Sequence, residues 1–348
     1  MLKTTNLKSH IINLNDYEVI HEINRGGFGI VYLVEDKTEE QQFAAKVNLQ
    51  GTATREDFDK LISRELSIFI RVRSPTLVQF YGFSLTDFDD NPNVTILMEY
   101  VSNGSLKRLI EEEDQGRSPH EYDNTAKQII LCGIAHGMMI LHSRRVIHRD
   151  LKPDNVLLDS NYRPHITDFG LSKFLDSDNS KSQSMAGCGT PGYIAPEVLE
   201  SNQYGPKADV YSFGILMFEV IMGHRAFPEL FKKKPPTFVS FSSSIIQGKR
   251  PKFDGPIKRS LKLLIERCWS SNPKERPTFR ELFHKLSFQL EDDDDTIETH
   301  LHDLVSEEHN LNEEEDEEDE DEYSRYCLPG VDFDCVLDYI DEITSSKS

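Results

Sequence analysis

The chain has few cysteines, no long apolar run and, overall, a shortage of basic residues. Its five cysteines, Cys132, Cys188, Cys268, Cys327 and Cys335, are scattered and odd in number, with no C-x-x-C pair. That argues against a disulfide framework and against a zinc or redox centre. Free thiols in a reducing compartment are expected, hence an intracellular and most simply cytoplasmic protein. No stretch approaches the roughly 20 apolar residues that a membrane helix requires. The opening MLKTTNLKSH has no apolar signal-peptide core and no glycine at position 2 for myristoylation. Neither a membrane nor a nucleic acid is expected as a partner.

The shortage of bases is local. The chain of 348 residues carries 39 Lys and Arg against 60 Asp and Glu, a formal net charge of −21. Residues 291–348 hold 24 acids and two bases, which leaves 36 acids and 37 bases in the rest. The body is therefore near neutral, and the acidity belongs to a tail. The length suits one large bilobed domain or two ordinary ones.

Residues 17–50 alternate apolar and polar in YEVIHEI, GIVYLVED and FAAKVNL, which predicts three antiparallel strands. Phe58, Leu61, Ile62, Leu66, Phe69 and Ile70 then recur at helical spacing over 55–73. Strand-like LVQFYGF and VTILMEY follow, and after them two long buried helices, over 123–143 and from Ala208. The body ends near Leu290. The runs EDDDD and EEEDEEDEDE repel themselves, so disorder is expected over 291–325. In the last stretch Phe333, Val336, Leu337, Ile340 and Ile343 predict one face of a short amphipathic helix over 331–343.

The chemistry is densest in His148-Arg149-Asp150-Leu151-Lys152-Pro153-Asp154-Asn155, followed by Asp168-Phe169-Gly170. Two carboxylates and an amide at this spacing suit phosphoryl transfer. Asp150 can accept the proton of an attacking hydroxyl, and Asn155 and Asp168 can hold Mg²⁺ against a nucleotide triphosphate. On these residues the chain resembles the eukaryotic protein kinase family, over most of its length. The resemblance implies an α+β, bilobed fold. A small antiparallel N-lobe with one helix (17–100) would be followed by a larger, mainly helical C-lobe (101–290). Residues 1–16 would be an N-terminal extension.

Further motifs extend the likeness. Asn24-Arg25-Gly26-Gly27-Phe28-Gly29-Ile30-Val31 resembles the glycine-rich G-x-G-x-x-G-x-V loop, with Asn24 in place of the first glycine. Read alone it fits a plain hairpin turn equally well. Asn tolerates left-handed backbone better than most residues, and the retained Gly26 and Gly29 would let backbone N–H groups close over phosphates. Val31 would pack on the adenine. Ala44-Ala45-Lys46 resembles V-A-I-K. Lys46 would meet the α- and β-phosphates, and Glu65, inside the helical ISRELSI, is its candidate partner. Met98 would be a gatekeeper, the Glu99 carbonyl and Val101 N–H would bind the base, and Ala44 and Leu157 complete the nucleotide set.

Lys152 can neutralise the transferred phosphoryl group, and its presence, with Gly189-Thr190-Pro191, resembles Ser/Thr rather than Tyr kinases. In that family the threonine at the position of Thr190 bonds the catalytic Asp and Lys. Ala195-Pro196-Glu197 would pair through Glu197 with Arg276, and Asp209 would anchor the catalytic loop. CWSSNPKERPTF and YSFGILMFEVI look most like the tyrosine-kinase-like group.

The implied function is ATP- and Mg²⁺-dependent (or Mn²⁺-dependent) phosphorylation of protein Ser/Thr hydroxyls. A pseudokinase scaffold, with the fold but no turnover, is the competing reading. Arg149 could grip a phosphate on the activation segment, for which Ser177, Ser180, Ser182 and Ser184 are the acceptors on offer. The tail serves solubility and spacing, or it docks a basic partner or the chain's own kinase domain.

Overall fold

The computed structural model describes residues 8–26, 29–49, 55–174, 189–201, 204–232, 234–288 and 325–345, without the side chains of residues 55–61 and 64. The N-terminal lobe is one antiparallel sheet of β1 (Tyr17–Gly26), β2 (Gly29–Asp36), β3 (Gln42–Asn48), β4 (Phe80–Ser84) and β5 (Thr95–Glu99), in the order β1-β2-β3-β5-β4. Val31 pairs with Lys46 and Lys46 with Ile96, while Leu33 pairs with Ala44 and Ala44 with Met98. Directly opposed residues of an antiparallel sheet point the same way, and residues two apart share a face. Register alone therefore sets Val31, Ala44, Lys46 and Met98 on one face.

Helix α1 (Arg55–Arg71) packs with the core cluster that includes that face's Ala44, Ile96 and Met98. Its Ile62, Leu66 and Phe69 are buried; the side chains of the predicted Phe58 and Leu61 lie outside the described residues. Glu65 and Phe69, one turn apart, share a helix face. The predicted strand over 77–83 starts only at Phe80, because the backbone before it is used elsewhere. Leu77 bridges to Ile166, and the Val78 N–H donates to the Ile166 carbonyl at 2.9 Å, a tie between the lobes.

The C-terminal lobe contains α2 (Leu106–Asp114), α3 (Asn124–Ser143), α4 (Pro196–Ser201), α5 (Pro206–Met222), α6 (Phe238–Ile246), α7 (Arg259–Cys268) and α8 (Phe279–Leu286). Two short antiparallel strand pairs join them, β6 (Val146–Ile147) with β9 (Lys173–Phe174), and the hairpin of β7 (Val156–Leu158) with β8 (Pro164–Ile166). Helices α3 and α5 are buried over most of their residues, as a helix apolar on all sides must be. Asp123 caps α3 by accepting from the Ala126 N–H at 2.9 Å, and Gly223, at φ 72°, ends α5 in the left-handed conformation that glycine tolerates.

Residues 8–16, the described part of the N-terminal extension, pack on the sheet. The Ile12 N–H donates to the Phe83 carbonyl at 2.9 Å, and the His10 ring lies 5.7 Å from Phe80. The segment covers the open edge of β4, which would otherwise offer unpaired backbone groups. At the other end the acidic runs lie outside the described residues, but residues 325–345 pack on the C-terminal lobe. Helix α9 (Phe333–Ser345) buries Val336, Tyr339, Ile340 and Ile343. The predicted face was partly wrong: Leu337 and Phe333 are 42% and 38% exposed, and Tyr339 is the large buried residue.

The glycine hairpin also holds a surprise. Asn24 pairs with Val31 inside β1 and has no positive φ, so its tolerance of left-handed backbone is not used. Gly29 is required by packing, since a Cβ there would sit on the backbone carbonyl of Val47, whereas nothing lies near a Cβ at Gly26. Gly29→Ala is expected to cost about 1–3 kcal/mol in thermal unfolding. Gly26→Ala should change it by less than about 0.5 kcal/mol.

Candidate active site

Lys46 is the centre of the first cluster. Its Nζ donates to Glu65 Oε1 at 2.7 Å and to Asp168 Oδ1 at 3.1 Å. Strand register aims Lys46 at α1, and the helix face shared with Phe69 aims Glu65 back. Burial pushes the Lys46 ammonium down, but the charges of Glu65 and Asp168 outweigh it and hold the group above its ordinary value. Burial pushes the Glu65 carboxyl up more strongly than Lys46 pulls it down; its Oε2 is enclosed with no partner among the described residues. Asp168 is held below the usual carboxylate range, chiefly by the Lys46 charge.

A pH dependence follows. A raised carboxyl protonates first as pH falls, and neutral Glu65 no longer holds Lys46. Activity should therefore fall through an acid limb above the usual carboxylate range. Glu65→Gln should lower activity at neutral pH and shift that limb to lower pH in a pH profile of kcat/KM.

The second cluster surrounds Asp150. Its Oδ1 accepts the Thr190 N–H at 3.1 Å and the Thr190 hydroxyl at 2.9 Å. Its Oδ2 accepts from Lys152 Nζ at 2.8 Å and Asn155 Nδ2 at 3.1 Å. Lys152 Nζ also donates to Thr190 Oγ1 at 2.6 Å. Four donors thus orient one carboxylate, which is 7% exposed. Asn155 also donates to the Asp150 carbonyl at 2.8 Å, so its nitrogen is committed and its carbonyl oxygen is the atom left to offer a ligand.

The loop carrying these groups is held from beneath. Asp209, on buried α5, accepts the His148 N–H and the Arg149 N–H, each at 2.9 Å, and meets His142 Nε2 at 2.8 Å. Asp168 adopts φ 65°, ψ 71°, a left-handed turn that sends its carboxylate to Lys46 and Phe169 into the core. The Phe169 ring lies 5.1 Å from Phe69 and 5.6 Å from His148, and Phe69 lies 5.6 Å from Phe80. This column links both lobes behind the site. Arg276 grips Glu197 bidentately at 2.7 and 2.8 Å. Arg149 lies over the Tyr204 ring at 4.8 Å; Ser177, Ser180, Ser182 and Ser184 lie outside the described residues.

Of the residues expected at the nucleotide, Val31, Ala44, Lys46 and Met98 lie on the face described above. Ala44, Met98 and Val101 are buried, while Val31 and Leu157 remain partly exposed. The segment after β5 is fastened to β7: the Asn103 N–H donates to the Leu158 carbonyl, and the Leu158 N–H to the Gly104 carbonyl, each at 2.9 Å. Asn24 is exposed on edge strand β1, and Gly26 faces open space at the hairpin end.

Two histidines were missed in the sequence. His142 shares Asp209, and His165 Nδ1 lies 2.9 Å from Glu99 Oε1, which also accepts the Gln79 N–H at 2.8 Å. Their partners are 67 and 66 residues away, so no local pattern marks them.

Asn155 and Asp168 are hard oxygen donors, and the Asp168 side chain is 43% exposed. Among the described residues no three His, Cys, Asp or Glu side chains converge as a self-sufficient metal cage. Mg²⁺ needs none, because it is commonly held by one or two protein oxygens together with substrate phosphates and water. The residues fit a divalent cation that arrives with a polyphosphate. No helix among the described residues is long and apolar enough to cross a membrane.

Comparison with known proteins agrees with this geometry. Residues 17–288 match the family model described as protein kinase domain. The chain is 32% identical over 278 residues to a protein of Dictyostelium discoideum named a probable serine/threonine-protein kinase, covering 80% of this chain and 20% of that protein. It is 32% identical over 298 residues to mitogen-activated protein kinase kinase 1 of Arabidopsis thaliana, covering 85% and 80%. Serine/threonine-protein kinase CTR1 of Arabidopsis thaliana is 32% identical over 273 residues, covering 78% and 31%. The chain thus spans a fifth of the first relative and a third of the last, but most of the second. The matched span runs from β1 through α8 and takes in both clusters, and the chain belongs to the protein kinase family.

Proposed function

We propose that the chain is an ATP-dependent protein serine/threonine kinase. The carrying observation is Asp150 held between Thr190, Lys152 and Asn155, within one site that also holds the Lys46–Glu65–Asp168 cluster. Lys46 binds the nucleotide phosphates, held in place by Glu65. Asn155 and Asp168 hold a divalent cation, Mg²⁺ or Mn²⁺, which when bound with the nucleotide offsets phosphate charge. Asp150 orients the acceptor hydroxyl and takes its proton, while Lys152 offsets charge on the transferred group. Val31, Ala44, Met98, Val101 and Leu157 enclose the base, and the Glu99 carbonyl and Val101 N–H read it.

Serine/threonine specificity rests on Lys152 and Thr190, and on the names of the relatives. The tyrosine-kinase-like group is proposed on CWSSNPKERPTF and YSFGILMFEVI. An intracellular setting is proposed on the free thiols of Cys132, Cys268, Cys327 and Cys335. Substrates are proteins, and the charge of the tail favours basic partners. The test incubates the full chain with γ-labelled ATP, Mg²⁺ and a mixed basic protein, with phosphoamino-acid analysis of the product. Phosphoserine or phosphothreonine is expected. Tight ADP·Mg²⁺ binding without any transfer would instead mark a scaffold.

A further inference from the structure

The family match ends at Phe288, yet residues 325–345 are built into the lobe. The chain returns beside the point where the body ended. Phe333 lies 5.0 Å from the Phe288 ring, and Ser260 Oγ donates to the Arg325 carbonyl. From there the segment is fastened to α3 by backbone as well as side chains. The Leu328 N–H donates to Gln128 Oε1 at 3.3 Å, the Asp332 N–H to Thr125 Oγ1 at 3.0 Å, and Asn124 Nδ2 to the Pro329 carbonyl at 2.8 Å. Cys327, Leu328, Val336, Tyr339, Ile340 and Ile343 are buried. Docking is intramolecular, so it needs little intrinsic affinity.

Helix α9 then reaches the residue that leads into β8. Arg163 forms a two-pronged pair with Glu342, 2.7 Å on each prong, and lies over the Tyr339 ring at 5.6 Å. An ion pair this exposed contributes little alone, but the buried Tyr339 ring fixes where it forms. The Tyr339 hydroxyl and the Pro164 ring share the space left by the missing side chain of Gly133 on α3. β8 is therefore clamped between α3 and α9 at its first residue.

Each residue along β8 then holds a different part of the site. His165 meets Glu99, the last residue of β5 and the start of the hinge, the segment 99–103 that joins the two lobes. Ile166 exchanges hydrogen bonds at 2.9 Å with Thr76 and Val78 of the N-terminal lobe. The Thr167 N–H donates to the Asn155 carbonyl at 3.0 Å, and the Thr167 carbonyl lies 3.1 Å from His148 Nε2. Asp168 follows, paired to Lys46.

We propose that α9 is a positioning element of the catalytic body. By clamping Arg163 and Pro164 it sets β8, and through His165 and Asp168 it sets the hinge and the cation-binding end of the nucleotide site. The proposal rests on the nucleotide reading of that site. Arg163, Tyr339 and Glu342 are positioning residues, not catalytic ones.

The test uses the full chain with Val336→Asp/Ile340→Asp, which releases α9 without touching the site. It also uses Arg163→Glu, Glu342→Arg and the combined charge swap. Amide hydrogen exchange over 333–345, 165–168 and 99–101 is read beside ADP·Mg²⁺ affinity. Release of α9 should speed exchange at β8 and the hinge and weaken ADP·Mg²⁺ binding, each by about three- to tenfold; either charge reversal should act in the same direction, and the swap should undo the effect of the reversals. Free exchange of α9 with β8 and the hinge unchanged would overturn the proposal, as would a swap no better than either single reversal. If the double aspartate chain does not fold, the charge series decides. If the unaltered chain fails to bind ADP·Mg²⁺, the nucleotide reading fails, and the exchange data still decide whether α9 positions β8.

Discussion

Asp150→Asn is expected to lower kcat by about 10²- to 10⁴-fold, the range that general acid–base groups contribute, with ADP·Mg²⁺ binding retained. Asparagine keeps the shape of the side chain and one acceptor oxygen for the two Thr190 donors. It cannot take a proton, and whichever way it turns it can offer only one oxygen to four donors. Orientation and basicity are therefore lost together. The check is an initial-rate assay on a serine peptide, run beside an ADP titration. Activity within about threefold of the unaltered chain would remove Asp150 from the reaction. Lys46→Met gives a contrasting outcome, because it removes the phosphate-facing cation and should impair nucleotide binding itself.

Glu197→Ala is expected to destabilise the chain by about 3–5 kcal/mol, as loss of one member of a buried pair does. The Arg276 side chain is fully buried, and Glu197 supplies both oxygens of its bidentate contact. Its other donors reach the Ser270 carbonyl at 2.9 Å and the Lys207 carbonyl at 2.8 Å, and it lies 5.3 Å from the centre of the Tyr211 ring. Those groups satisfy hydrogen bonds but carry no compensating charge. Adding Arg276→Met to Glu197→Ala should recover much of the loss, since an apolar side chain of similar size needs no counter-charge. Thermal unfolding of the two variants checks this; a double variant less stable than Glu197→Ala would contradict it.

Much of the site was legible because its members are close in sequence or sit at a regular period. Asp150, Lys152 and Asn155 fall within one short loop. Lys46 and Glu65 are 19 residues apart, but one stands on an alternating strand and the other in a helical stripe, so each period fixes its own side-chain direction. The fold was legible for the same reason. At two places local preference did not settle geometry. Asn24 was read as tolerant of left-handed backbone, and it lies in extended β1, where that tolerance is not used. Leu337 was placed on the buried face of the last helix, where Tyr339 stands, because two overlapping stripes fit the same thirteen residues.

The residues alone carried the resemblance to protein kinases, through a base, an amide and a carboxylate close in sequence, and they determined where the charge lies. They could not determine what α9 would cover. An apolar stripe shows that one face leaves water, because burial of apolar surface is favourable without direction. Only the tertiary structure supplied the direction, through the space above Gly133, the guanidinium of Arg163 and the polar side chains of Asn124, Thr125 and Gln128 at the start of α3. The same holds for the His165–Glu99 contact, which exists because the two lobes meet there.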